Sequence, residues 1–247
     1  MIKEAVFLAA GMGTRLASSL STYPKGFITF DQFPIIEESV KKLLKIGIED
    51  IWIVTGYEPQ YFERLAERYP KNIHTIWNEE FEQSGTMYSL YCVKESLKGS
   101  FLLLESDIIY ESRALEIITN HPSDHCILLS DFSRSGDEVF VETKNNFLID
   151  MSKNESQLQN KPIGELVGIT KISQRLFDCM ISHAEEKFEQ TLFYDYEVGA
   201  LVDSSKEIDI DCFQVEDLIW AEIDDPDHLK RAINLIYPFV SFLFDEI

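Results

Sequence analysis

Residues 8–16 read Leu8-Ala9-Ala10-Gly11-Met12-Gly13-Thr14-Arg15-Leu16, and this stretch decides the fold. It continues an apolar run over residues 5–8 and is followed by Pro24-Lys25. An apolar run that stops at Gly-x-Gly reads as a strand ending in a tight turn. Glycine lets the backbone turn and lets N–H groups approach a phosphate chain. Leu8, Ala10, Gly11, Gly13 and Thr14 are therefore candidate nucleotide contacts, with the main chain of residues 10–14 as the cradle. Arg15 and Lys25 add two cations for charge that a triphosphate carries and a departing pyrophosphate keeps. No Gly-Lys-Ser/Thr closes the loop, so it is not a Walker A motif, and the third glycine of the dinucleotide fingerprint is missing.

Outward from this loop, strand and helix patterns alternate. Residues 5–9, 51–55, 73–77, 101–104 and 126–129 read as strands, and residues 35–46, 60–69, 87–97 and 114–119 carry helical spacing. The alternation predicts an α/β fold, a Rossmann-like, mostly parallel sheet with helices on both faces. After Asp131 the pattern turns β-rich, with strand-like runs at residues 139–142, 147–151 and 165–172. We read about residues 132–170 as a small insertion over the sheet's open edge, some of its strands returning to the sheet. Helices follow at residues 176–188 and 194–202, then strands at 208–213 and 218–223, then a helix opened by Pro226. There is no repeat or linker, so residues 1–247 read as one domain. The tail, residues 238–247, carries Phe239, Phe242 and Phe244. It reads either as a closing helix on its own domain or as a docking segment for a homodimer or a fused domain.

The net charge is −21, from 22 basic and 43 acidic side chains, which argues against nucleic acid and anionic membrane as partners. No apolar run is long enough to span a membrane, and the chain enters its first strand with no room for a signal peptide, so a cytoplasmic location is expected. Cys92, Cys126, Cys179 and Cys212 are scattered, form no Cys-x-x-Cys pair and read as free thiols of a reducing compartment. The histidines show no His-x-x-x-His spacing and read as packing or surface residues.

Two acidic clusters follow apolar strands, Glu105-Ser106-Asp107 and Glu222-Ile223-Asp224-Asp225. Ligands of open parallel sheets sit beyond the carboxyl ends of the strands. Carboxylates from distant parts of the chain that meet beside a phosphate loop suit Mg²⁺, which takes few protein oxygens and fills its shell with phosphate and water. Asp107 and Asp224 are the expected ligands, with Glu222 beside them; taken singly, Asp224 and Asp225 also fit a helix cap before Pro226. Asp195-Tyr196-Glu197 and Asp131-Phe132 mix acids with aromatics, which suits a cationic amine, although acids also favour a helix N-terminus.

Taken together, these residues resemble the nucleotidyltransferase-like family, the MobA-like and sugar-phosphate nucleotidyltransferases, whose members activate sugar-1-phosphates or phospho-alcohols with a nucleoside triphosphate. The matching pieces are residues 8–16, Pro24-Lys25, Ser84-Gly85-Thr86-Met87-Tyr88-Ser89-Leu90, Asp107 and Glu222-Ile223-Asp224. Residues 78–91 look most like bacterial choline-phosphate cytidylyltransferases and their relatives that use 2-aminoethylphosphonate. The resemblance implies CTP as donor, cytosine near Ser84 and Thr86 with Ser106 among the nucleotide contacts, and Mg²⁺ on Asp107 and Asp224. It implies Lys25 at the α-phosphate, Arg15 on the β- and γ-phosphates and Lys153 on the acceptor's phosphate. It also places Glu165 and Gly168 on a strand near the acceptor.

One departure bears on the acceptor. Choline enzymes hold a quaternary ammonium against aromatic faces. Residues 134–141, where they carry a tryptophan, hold none here. Asp131, Asp195 and Glu197 remain, and a primary ammonium with three N–H donors prefers carboxylates. The expected acceptor is 2-aminoethylphosphonate, a small zwitterion. Phosphocholine, a sugar-1-phosphate, and a nucleotide-sensing module without catalysis are the alternatives. Phe132, Tyr194, Tyr196 and Trp220 could still form a cage.

Overall fold

The structure, a computed structural model, describes residues 2–17 and 23–242. β1 (Glu4–Ala9) is buried along its whole length. Val6 and Leu8 face one core, while Ala5, Phe7 and Ala9 face another. An uninterrupted apolar run gives this result because both faces of the strand are covered. β2 (Asp50–Thr55), β3 (Ile73–Trp77) and β4 (Phe101–Glu105) extend a parallel array, with β1 between β2 and β4. β5 (Ile108–Tyr110) stands apart from it. β6 (Cys126–Ser130), β7 (Phe140–Lys144), β8 (Phe147–Ser152), β9 (Gly164–Ile172) and β10 (Asp211–Val215) complete a nine-stranded sheet of order β3-β2-β1-β4-β9-β6-β10-β8-β7.

α1 (Thr14–Ala17) follows the glycine loop. α2 (Ile35–Lys45) and α3 (Gln60–Arg68) cover the face that carries Phe7, through Ile36, Val40, Leu43, Phe62 and Leu65. Glu37 and Glu38 in the first turn of α2 and Lys42 and Lys45 in its last turn match the helix dipole. α4 (Thr86–Cys92) packs on the opposite face through Met87 and Leu90. α5 (Arg113–Asn120) returns to the first face, and α6 (Gln174–Phe188), capped by Ser173, to the second. The α/β expectation with helices on both faces is met.

The β-rich segment returns strands to the sheet, as read, with β7 and β8 at its edge, but β9 enters the interior of the sheet. β9 lies between β4 and β6 and runs antiparallel to both. It pairs with β7 as well, so β6, β10, β8, β7 and β9 close a ring of pairings. β9 is buried at every position, so no alternation of apolar and polar residues marks its place or direction.

β11 (Trp220–Glu222) also differs. It is not a strand of the large sheet but pairs antiparallel with β5, with Glu222 opposite Ile108. The pairing continues through the Ile223 N–H, which donates to the Asp107 carbonyl at 3.1 Å. This two-stranded ribbon carries Asp224 alongside Asp107. α7 (Val202–Ser204) is short and follows a wide helical turn, Tyr196–Leu201. α8 (Pro226–Arg231) is capped by Asp225, which accepts from the Asp227 and His228 N–H groups. Asp224 is thereby left out of the cap.

The terminal helix α9 (Tyr237–Phe242) rests on its own domain. Tyr237 donates to Glu38 at 2.7 Å and packs on Phe30, and Val240 is buried. Ile233, Leu235 and Phe239 are exposed. The Phe242 side chain and Phe244 lie outside the described residues.

Candidate functional site

The carboxyl ends of β1 and β4 open on a cleft of about 330 Å³. Leu8, Ala10, Gly11 and Gly13 line it, and the Thr14 side chain falls outside the described residues. The two glycines differ. Gly13 has φ +58°, and a Cβ there would lie 3.0 Å from Lys25 Cγ. Glycine thus supplies both the left-handed turn and the space for Lys25 to cross it. Gly11 faces nothing within 4 Å, so its missing side chain leaves room for a ligand rather than relieving strain.

Lys25 stands at the centre of the site. Its Nζ donates to Asp107 Oδ2 at 2.9 Å and also to Asp224. Burial opposes the charge, yet the two aspartates outweigh it and hold the ammonium well above the ordinary lysine range. Arg15 donates to Asp224 at 2.8 Å and lies 3.4 Å from Asp137, with its side chain mostly exposed. Burial would raise Asp224, but Asp137, Lys25 and Arg15 together hold it well below the usual carboxylate range. Acids from distant parts of the chain, Asp107 and Asp224, lie together beside the glycine turn, and Lys25 bridges them.

A second acidic group adjoins the first. Carboxylate oxygens of Glu105, Asp107 and Glu222 lie within 4.8 Å of one another. Burial, then the charges of Glu197 and Asp107, push Glu105 up to about 8. Burial and the neighbouring acids push Glu222 well above its ordinary range. The Tyr196 hydroxyl donates to Glu105 at 2.7 Å. Oxygen donors held this close under mutual repulsion fit a hard divalent cation.

Glu105 went unread as a ligand. It shares a strand end with Asp107, and a strand's alternation could have marked it as facing the other way from Leu104. What leaves room for its carboxylate is Gly168 of β9, whose φ is +78° and whose Cβ would lie 3.1 Å from it. That contact requires β9 beside β4, which no local pattern announces.

The remaining expected residues separate into those the cleft gathers and those it does not. Ser84, Thr86, Ser106, Lys153 and Glu197 line it. Ser84 accepts from the buried Asn78 amide at 3.1 Å. The Thr86 hydroxyl donates to Glu197 at 3.1 Å and accepts the Tyr196 N–H at 2.9 Å. Lys153 reaches to 3.7 Å from Glu197.

Asp195 has another task, because its carboxylate accepts the Thr86 N–H at 3.1 Å and caps α4 from a distant segment. Asp131 lies outside the cleft. It is exposed at the end of β6, and Gln214 of β10 donates to it at 2.9 Å. β6 runs in the same direction as β4, but β9 stands between them, so its carboxyl end lies two strands from that of β4 along the same edge. Of the aromatics considered for a cage, Tyr196 lines the cleft. Trp220 is bonded to Ser130, Tyr194 to Asp203, and Phe132 packs on Phe140.

Glu165 also misses the main cleft. It lines a small adjoining cavity and accepts the Ser133 N–H at 2.8 Å, while its other oxygen is buried without a partner. Burial pushes its carboxyl up to about 7. The folded state then holds a proton that the unfolded chain releases near 4.5, so stability is lost as pH rises from the unfolded value through about 7. Glu165→Gln is expected to flatten this dependence and to stabilise the protein by about 1–2 kcal/mol at alkaline pH, read from urea unfolding at pH 5 and pH 8. Equal pH slopes in the variant and the parent would contradict it.

A glycine turn bearing two cations at the ends of parallel strands, faced by buried acids, defines a site for handling nucleotide phosphates. The chain belongs to the MobA-like NTP transferase domain family, whose sequence profile matches residues 5–142, and it is a nucleotidyltransferase. A 2-aminoethylphosphonate cytidylyltransferase of Lancefieldella rimae is 29% identical over 227 residues, covering 90% of this chain and 88% of that protein. A choline-phosphate cytidylyltransferase of Streptococcus pneumoniae is 34% identical over 109 residues, covering 44% of this chain and 47% of that protein. The inositol-1-phosphate CTP transferase from T. maritima superposes with a TM-score of 0.83 at 19% identity, over 100% of this chain and 98% of that one, which shows the shared fold. No helix among the described residues is long and apolar enough to cross a membrane.

Proposed function

We propose that this enzyme transfers CMP from CTP to 2-aminoethylphosphonate, giving CMP-2-aminoethylphosphonate and pyrophosphate. The observation that carries the reading is the lysine between two aspartates at the glycine turn, Lys25 on Asp107 and Asp224. The relative that matches along nine-tenths of the chain supports the choice of donor and acceptor.

A phosphonate oxygen attacks the α-phosphorus in line, and the bond to the bridging oxygen of pyrophosphate breaks. The phosphonate is ionised near neutral pH, so no general base is needed, and catalysis is positioning plus neutralisation of charge. Main-chain N–H groups of residues 10–14 receive the triphosphate. Arg15 leaves Asp137 and Asp224 for the β- and γ-phosphates, and Lys25 stabilises the charge that develops at the α-phosphate. Lys153 aligns the phosphonate. Ser84, Thr86 and Ser106 border the base. Glu197 receives the ammonium. Asp107 and Glu222, with Glu105 or Asp224, would hold Mg²⁺, which when bound supplies Lewis-acid neutralisation of the phosphate oxygens.

The test is pyrophosphate release across the four nucleoside triphosphates, with 2-aminoethylphosphonate and phosphocholine in parallel. CTP with 2-aminoethylphosphonate is expected to be fastest. Phosphocholine, which offers no N–H donor to the carboxylates, should be slower by about tenfold or more. Faster turnover of phosphocholine would overturn the acceptor, and no release with any pair would leave a nucleotide-binding module instead.

A further inference from the structure

Outside the cleft, α6 presents a clip that the nucleotide reading does not use. Cys179 and His183 are four residues apart and so share one face of the helix. Glu207, from the turn after α7, joins them. The Cys179 sulfur, a His183 ring nitrogen and a Glu207 carboxylate oxygen lie within 4.8 Å of one another. His183 Nε2 is 3.0 Å from Glu207 Oε1, yet this nitrogen is buried and makes no hydrogen bond. A nitrogen and an oxygen in contact but not aligned as donor and acceptor can both face a third atom.

We propose that Cys179, His183 and Glu207 bind Zn²⁺, with water in the fourth position. Sulfur, imidazole nitrogen and carboxylate oxygen are the zinc donor set, and a tetrahedral shell of three protein ligands plus water is a common arrangement. The same set is unsuited to Mg²⁺, which prefers oxygen, so this site and the acid cluster of the cleft select different ions. On binding, the Cys179 thiol gives its proton to solvent and the ion takes the thiolate.

The ion ties α6 to the turn at residues 203–207. Asp203 in that turn accepts the Tyr194 hydroxyl at 2.6 Å, and the Tyr194 carbonyl accepts the Met87 N–H at 3.0 Å. Occupancy therefore stiffens the platform under the start of α4, next to Thr86. The sequence analysis reads Cys179 as a free thiol and His183 as a packing or surface residue, because the third ligand lies beyond the wide helical turn, where spacing carries no signal.

The experiment adds Co²⁺ to the whole protein in saturating Mg²⁺, which occupies the oxygen cluster first. A thiolate-to-cobalt charge-transfer band should grow to one equivalent, vanish in Cys179→Ser and weaken in His183→Gln. Zn²⁺ at about a hundredfold excess over its Kd should raise Tm by roughly 5–10 °C in the parent and not in Cys179→Ser. Absence of the band in the parent, its survival in Cys179→Ser, or a Tm that Zn²⁺ leaves unmoved would overturn the proposal. Each readout is independent of cytidylyl transfer, so its failure leaves the nucleotide reading standing.

Discussion

Lys25→Ala is expected to lower turnover by about 10²–10³, the range for loss of one electrostatic donor at a reacting centre. The size follows from what Lys25 does in the resting protein. It is held between Asp107 and Asp224 with its charge secured against burial, so it is poised as a full cation at the turn. Among the described residues that line the cleft, the other cations are Arg15 and Lys153. Arg15 reaches Asp224 but its side chain is largely exposed, and Lys153 is engaged at Glu197. Removing the ammonium leaves two carboxylates facing one another, which favours a divalent ion. The variant should therefore bind Mg²⁺ at least as well as the parent while turning over slowly. That split between metal affinity and rate separates an electrostatic role from general damage to the site. Lys25→Arg should rescue only in part, because a planar guanidinium does not fit a point-charge position between two carboxylates. Single-turnover rates with CTP, together with the Mg²⁺ concentration at half-maximal rate, decide the matter. Near-normal turnover in Lys25→Ala would take Lys25 out of the mechanism.

The parts of this site that could be read from the chain are those set by neighbours in sequence. The Gly11–Arg15 turn was legible because a buried strand must stop somewhere, and Gly13 marks where the backbone turns left-handed. Asp107 was legible because β4 ends beside it. Asp224 was legible only as an acid after an apolar run, and its reason was misjudged. It reaches the cleft through the antiparallel ribbon of β5 and β11, with no parallel strand involved. Glu105 and Asp131 show the limit most clearly. Both follow buried apolar strands and look alike in sequence. The order of strands separates them, since β9 enters between β4 and β6. Gly168 of β9 leaves room for the Glu105 carboxylate at the cleft, while Asp131 is left in solvent beside Gln214. Strand order is decided by contacts between residues far apart in the chain, and a period of two carries no trace of it.

Asp107→Asn should produce the largest change in metal dependence. Asp107 belongs to both acid groups. It pairs with Lys25, and its carboxylate lies within 4.8 Å of Glu105 and Glu222. Loss of groups that merely orient a metal ligand costs about 10–100-fold in affinity, so loss of a ligand should raise the half-saturating Mg²⁺ concentration by roughly a hundredfold or more. Asp224→Asn distinguishes two arrangements. Asp224 is occupied by Lys25 and Arg15 and is held ionised by them. If it stays on those cations during turnover, its amide variant frees Lys25 and Arg15 and lowers the rate with little change in half-saturating Mg²⁺. If it passes to the ion when nucleotide draws Arg15 away, the metal requirement rises as it does for Asp107→Asn. Glu105→Gln then gives the complementary answer, because the oxygen cluster needs a further member in the first arrangement and not in the second. We expect Asp224→Asn to raise the metal requirement, since a triphosphate competes for both of its present partners. Titration of Mg²⁺ at saturating CTP, with the three variants side by side, measures this. Parental metal dependence in both Asp107→Asn and Asp224→Asn would place the ion elsewhere and remove the acid cluster from phosphate chemistry.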